Sequence, residues 1–302
     1  MPSVRLWPLV VLAALAGCRT ASSPPVSPFA PLAEAVERVV AGYPEATVAV
    51  VVRQAVPDAG VAYARSADRP FHAASTMKVA VMIEAFRQVE AGRRRWDEPV
   101  RVENRFRSIV DGSAYAIADD TDDALYALQG QDVPFRDLVE RAITTSSNLA
   151  TNLLIDRVTA DSVQATVDRL GAPGMRVLRG VEDLKAFEAG LSNQTTAAAL
   201  ATLLEAIRDG RAVSPEADAA MRDILDDQRF DEMIPAGLPA GTRVAHKTGW
   251  ITEVHHDAAI VYPEGAAPYV LVILTEGIAD HDVSARLGAE ISRAVYEVLT
   301  GE

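Results

Sequence analysis

Three short stretches carry side chains that could together perform acyl transfer: Ser75-Thr76-Met77-Lys78, Ser146-Ser147-Asn148 and Lys247-Thr248-Gly249. The first sets a hydroxyl three residues ahead of an amine, at the start of the helix-period run "HAASTMKVAVM". Residues three apart share a helix face. The free N–H groups and the dipole of a helix start favour developing negative charge. A lysine taken out of water loses basicity, so Lys78 could accept the Ser75 proton. Two ordinary residues on a helix would read the same way in isolation. Ser146 could relay a proton to a leaving nitrogen, with Asn148 holding a substrate amide. Lys247 offers positive charge, and Thr248 a hydroxyl, to a substrate carboxylate. The backbone N–H groups of Ser75 and Trp250 suit an oxyanion hole. Each stretch alone is weak. Their order, with two at helix starts and one at a strand end, gives the set its weight.

The elements that must position these residues follow from hydrophobic period. "LAEAVERVVAGY" carries a helical stripe from Leu32 to Val40. "ATVAVVVRQA" reads as a buried strand, and "GVAYARS" as its hairpin partner. From Ser75 onward the helical period dominates, through "RDLVERAITTSSNLATNLLIDRV", "SVQATVDRL", "TTAAALATLLEAIRDG" and "SPEADAAMRDILDD". Strand patterns return in "TRVAHKTG", "HDAAIVYP" and "PYVLVILTE", before a closing helix "VSARLGAEISRAVYEVL". The sheet is thus expected to join the two ends of the chain around a helical insertion, with antiparallel pairing.

The chain has 302 residues with 29 basic against 42 acidic side chains, a net charge of −13. That charge argues against nucleic acid and against an anionic membrane held by charge alone as partners. "MPSVRLWPLVVLAALAGCRT" has one early arginine, then an apolar run too short to span a bilayer comfortably. It ends at "LAGC", where Cys18 is the sole cysteine. The pattern resembles a bacterial lipoprotein signal over residues 1–18, with Cys18 as the lipidated residue and membrane anchor. Residues 19–31 are rich in Pro, Ser and Ala and read as a flexible tether. "DGSAYAIADDTDDALYALQGQDVP" holds five aspartates between Asp119 and Asp132, and reads as a solvated acidic loop without calcium-loop spacing. "EVHHDAA" offers His255, His256 and Asp257, but neighbouring strand residues point to opposite faces, which disfavours a zinc site. No G-x-S-x-G stretch exists for a separate triad. Tyr115 and Tyr126 read as packing residues, with an entrance wall as the alternative.

The three motifs in this order resemble the penicillin-recognising serine enzymes, and within them the class A β-lactamases, over roughly Leu32 to Leu299. The resemblance implies an α+β fold: an antiparallel sheet flanked by N- and C-terminal helices, plus an all-α lobe. It divides the domain 32–302 into a sheet lobe, 32–70 and 240–302, and a helical lobe, 71–239. It implies a catalytic set of Ser75, Lys78, Ser146 and a glutamate that activates the deacylating water. Glu182 lies at the family's spacing after Asn148, with Glu188 as the fallback. Asn148, Lys247, Thr248, Gly249 and Trp250 are the implied substrate-binding residues. The implied reaction is β-lactam hydrolysis through an acyl-enzyme, with no cofactor or metal, in an exported, lipid-anchored monomer at the periplasm or cell surface. A D-alanyl-D-alanine carboxypeptidase acting on peptidoglycan peptides, and a slow-turnover β-lactam-binding protein, are the alternatives.

Four departures from the family pattern bear on chemistry. Ser147 stands where Asp is usual, and Ala186 where an asparagine helps hold the water. The stretch from Ser75 to Ser146 is longer than usual. No arginine follows Lys247 before Arg286, leaving Arg243, His255 or His256 as candidates to meet a substrate carboxylate.

Overall fold

The computed structural model describes residues 30–55 and 61–301. The expected leader, its Cys18 and the tether as far as residue 29 lie outside the described residues. Helix α1 (Ala30–Val40) takes in Ala30 and Pro31, which the sequence reading left in the tether. Proline is tolerated there because the first helical turn has no partner for its missing N–H.

Five strands form the main sheet: β1 (Thr47–Gln54), β2 (Val61–Arg65), β3 (Arg243–Ile251), β4 (Val254–Tyr262) and β5 (Tyr269–Glu276). Their order is β2-β1-β5-β4-β3, and every neighbouring pair is antiparallel. The two ends of the chain therefore do build one sheet. Its strands are almost continuously apolar because both faces are covered. Val48, Val50 and Val52 face one core with Leu32, Val36, Leu287 and Ile291 of α1 and α8 (His281–Thr300). Ala49 and Val51 face the other core, which runs on into the helical part.

The helical part comprises α2 (Lys78–Glu90), α3 (Phe135–Thr144), α4 (Asn148–Val158), α5 (Ala160–Arg169), α6 (Ala197–Arg208) and α7 (Pro215–Asp226). Three two-stranded pieces also lie between the outer parts of the main sheet, pairing 71–72 with 194–195, 99–101 with 132–134 and 106–107 with 114–115. Hydroxyl caps set several helix starts: Thr196 accepts from the Ala199 N–H, and Ser214 from the Ala217 N–H ahead of Pro215. Among the described residues, no helix is long and apolar enough to cross a membrane.

Two details differ from the sequence reading. Strand β3 runs two residues past the Lys-Thr-Gly motif, because Trp250 and Ile251 still pair with His255 and Val254. A buried ion pair, His246 with Asp257, also links β3 to β4 at 3.0 Å. Asp257 accepts from the Ile234 N–H as well, and Asp231 lies 3.4 Å from the other His246 nitrogen. The segment 231–234 is thereby fastened beside Lys247.

Burial works against charge on His246, but the carboxylates of Asp257 and Asp231 more than offset it and raise its pKa to about 9. A folded-state pKa above the unfolded value of 6.5 means that this stabilisation is complete below about pH 6.5 and is lost as pH rises through about 9. Between about pH 6.5 and about pH 9.5, urea denaturation of the wild type should therefore show a steeper stability loss than His246→Gln. Equal pH slopes would contradict a charged His246.

Candidate active site

Ser75 sits in a short 3₁₀ turn (Ala74–Met77) that leads into α2. Lys78 opens α2 and is completely buried. Its ammonium donates to the Ser146 carbonyl (2.6 Å), the Ser146 hydroxyl (3.3 Å) and Asn148 Oδ1 (2.9 Å). From the other side the equally buried Lys247 donates to the same Ser146 Oγ at 3.0 Å, and to the Thr248 carbonyl at 2.9 Å. Burial is the main force on both amines. It lowers the Lys78 pKa to about 7, although Asp120 and Glu182 pull the other way. It holds Lys247 well below the usual lysine range, with the Lys78 charge adding to the effect.

The run from Phe135 to Val158 is two helices, not one. They break at 145–147, where Ser146 adopts φ +56° and Ser147 caps α4 by accepting from the Ala150 N–H. Left-handed backbone in residues other than glycine costs on the order of 1–3 kcal/mol. Ala74, next to Ser75, has φ +46°, and Glu182 has φ +58°. Three such positions thus converge on one cleft.

Strand β3 brings the third motif to the nucleophile. A Cβ on Gly249 would lie 3.0 Å from the backbone nitrogens of both Ser75 and Thr76, so glycine allows the close approach. Trp250 follows at the rim, 59% exposed and edge-on to His281 at 5.3 Å. Ser75, Ser146, Asn148, Glu182, Thr248 and Trp250 line a shared cleft of about 500 Å³.

Glu182 reaches the cleft with both carboxylate oxygens held. Asn148 Nδ2 donates to one at 2.8 Å, and the Ala118 N–H to the other at 3.0 Å. Glu188 is exposed at the end of the short helix Leu184–Glu188 and does not line this cleft. Ala186 is fully buried, its N–H held by Asp183, and it presents no polar group to Glu182.

The acidic stretch is not simply a solvated loop. Asp120 accepts from the N–H groups of Asn148 (2.9 Å) and Leu149 (2.7 Å), at the start of α4. It also accepts from the Ser147 hydroxyl at 3.1 Å. An aspartate at 147 would press two carboxylates together, which gives the departure at Ser147 a physical reason. Asp122 is buried and pairs with Arg141 at 2.8 Å.

One residue that the sequence reading missed is Asn152, one turn beyond Asn148. Its amide oxygen accepts from the Val181 N–H (2.6 Å) and its amide nitrogen donates to the Val181 carbonyl (3.0 Å). Tyr115 donates to that carbonyl too, at 3.3 Å. Tyr115 thus braces the Glu182 segment. Neither Tyr115 nor Tyr126 lines the cleft. The i, i+4 spacing of Asn148 and Asn152 was the available signal, since it puts both on one helix face. Of the three candidates for the missing arginine, only His255 lines the cleft. Arg243 is paired with Asp223 and Asp226, and His256 bonds the His72 carbonyl.

Residues 31–299 match the family model described as the Beta-lactamase enzyme family. Beta-lactamase L2 of Stenotrophomonas maltophilia is 32% identical over 170 residues, covering 54% of this chain and 56% of its own. The chain thus spans about half the length of the curated relatives it matches. A crystal structure of a beta-lactamase from Sphaerobacter thermophilus superposes with a TM-score of 0.76 at 26% identity, covering 91% of this chain and 98% of that one. A structure of PBP-A gives 0.78 at 25%, covering 90% and 96%.

Asn152 is the acceptor for the Val181 N–H and shares the Val181 carbonyl with Tyr115, so Asn152→Ala leaves that N–H unpaired. It should lower the free energy of unfolding by about 1–3 kcal/mol. Gly180→Ala, whose Cβ would fall 2.3 Å from Asn152 Oδ1, should also be destabilising. Urea denaturation checks both, and wild-type midpoints for both variants would contradict this account of the Glu182 segment.

Proposed function

The chain belongs to the Beta-lactamase enzyme family, and from that premise we propose that it hydrolyses β-lactams through an acyl-enzyme on Ser75. The observation that carries the reading is the convergence of two buried lysines on Ser146 beside Ser75, with the Glu182 carboxylate in the same cleft.

In the resting geometry Lys78 donates to three acceptors and Ser75 is not among them. As an ammonium, Lys78 can donate to all three. An amine with a pKa of about 7 sheds that proton readily near neutral pH. The neutral amine then has a lone pair to take the Ser75 proton as the hydroxyl attacks the lactam carbonyl. The N–H groups of Ser75 and Trp250 receive the developing oxyanion. Ser146, held between Lys78 and Lys247, returns a proton to the leaving nitrogen. Lys247 and Thr248 meet the substrate carboxylate, Asn148 holds the substrate amide, and Gly249 keeps the strand close. Trp250 walls the cleft.

Glu182 activates the water that releases the acyl group. Its place in the cleft favours hydrolysis of lactams over the peptidase alternative, which needs no such carboxylate. Ala186 supplies no amide to that water, so release of the acyl group limits turnover. The apolar run before "LAGC" supports export and anchoring through a lipid on Cys18, at the periplasm or cell surface.

Intact-protein mass spectrometry over time with a penicillin tests the reading. The wild type should show a transient adduct, and Glu182→Gln an adduct lasting about 10²-fold longer, the scale of a lost general base. Ser75→Ala should show none. An adduct on Ser75→Ala, or equal lifetimes for wild type and Glu182→Gln, would overturn it.

A further inference from the structure

On the wall of the cleft away from Glu182, three donor side chains from three elements face one another: Glu232 from the 231–234 segment, His255 from β4 and His281 from the first turn of α8. One donor atom from each of the three lies within 4.8 Å of the other two. Glu232 Oε1 is 3.8 Å from the Nε2 of each histidine. The two imidazoles stack with centroids 4.4 Å apart.

The hydrogen bonds around His255 fix which of its nitrogens carries the proton. Ser284 Oγ donates its only hydrogen to the His281 carbonyl at 2.9 Å, since a carbonyl can only accept. Toward His255 Nδ1, 2.8 Å away, the same oxygen must therefore accept. Nδ1 then carries the hydrogen, and in the neutral ring Nε2 presents a lone pair. His255 is 2% exposed, and its Nε2 has no hydrogen-bond partner. A buried, unpartnered ring nitrogen thus lies 3.8 Å from a carboxylate oxygen, a distance too long for a hydrogen bond. Leaving such an atom unsatisfied is costly.

We propose that Glu232, His255 and His281 form a binding site for a divalent transition-metal ion of the zinc, nickel or copper class. Two imidazoles and one carboxylate are a donor set that such ions take, whereas calcium and magnesium prefer oxygen alone. Bond lengths of about 2.0–2.2 Å to zinc place tetrahedral donors about 3.3–3.5 Å apart. The two glutamate–imidazole distances of 3.8 Å need shifts of a few tenths of an ångström to reach that, and the separation of the imidazole donors, within 4.8 Å, closes by at most about 1.5 Å. Glu232 and His281, with side chains 34% and 39% exposed, are free to make them, while Ser284 holds His255 in place. The same three residues line the cleft that holds Ser75 and Thr248. Three protein ligands leave a fourth position for water or another ligand. The sequence pattern disfavours a metal held by His255, His256 and Asp257 together. The structure separates those three, because His256 turns to the His72 carbonyl and Asp257 to His246.

The test uses the full chain, carrying no polyhistidine tag and stripped with a chelator. Zn²⁺ is titrated in competition with a chromophoric chelator, and Co²⁺ is followed by its visible d–d absorption. One equivalent should bind, with a Co²⁺ spectrum of low coordination number. His281→Ala and Glu232→Gln, both at partly exposed side chains, should keep the wild-type circular dichroism. Each should weaken Zn²⁺ at least about tenfold and lose the Co²⁺ spectrum. Absence of saturable binding to the wild type would overturn the proposal, as would equal affinity in both variants. Neither result bears on acylation of Ser75, because the readout is metal binding.

Discussion

The site depends on keeping two ammonium groups out of water around one hydroxyl. Lys78 and Lys247 are both fully buried and both reach Ser146 Oγ. Removing a charge from water costs several kcal/mol even after relaxation, and two like charges add repulsion. The direct partners of both ammonium groups are neutral oxygens. The carboxylates that offset the charge stand further off: Asp120 and Glu182 toward Lys78, Asp257 and Glu232 toward Lys247. Such an arrangement keeps the lysines in place without restoring their ordinary basicity.

The scaffold follows from that requirement. Lys78 is buried because it opens α2, a helix whose residues from Val79 to Phe86 are all buried. Lys247 is buried because β3 is an edge strand covered by the 3₁₀ turn, where Gly249 allows backbone contact. Ser146 meets both lysines only by leaving the helical region of φ/ψ space, which ends α3 and begins α4. Asp120 compensates at the new helix start by taking two of its free N–H groups.

Much of this was legible in the sequence. Period and β-branched runs marked the five strands and the long helices, since both are local signals. The three motifs named the cleft residues because their chemistry is tied to residue type. What stayed hidden was long-range. No local pattern says that Asp120 will meet the N-terminus of α4, 28 residues on. Nor does any pattern join His246 to Asp257 across a hairpin, or Glu232 to His255 and His281. The helical period of "RDLVERAITTSSNLATNLLIDRV" continues through Ser146, so the hydrophobic pattern hid the break that the second motif's place at a helix start implies. Ser147 looked like a defect of the motif until Asp120 was seen to occupy the space a second carboxylate would need.

The central claim is that burial makes Lys78 a usable base near neutral pH. The most direct measurement is a pH titration of the Lys78 side chain by NMR, with lysine labelled with ¹³C at Cε and the signal assigned through Lys78→Arg. The account predicts a transition near pH 7, where burial places this amine. A Lys78 signal that stays in its ammonium form beyond about pH 9, toward the ordinary lysine value of about 10.4, would contradict it.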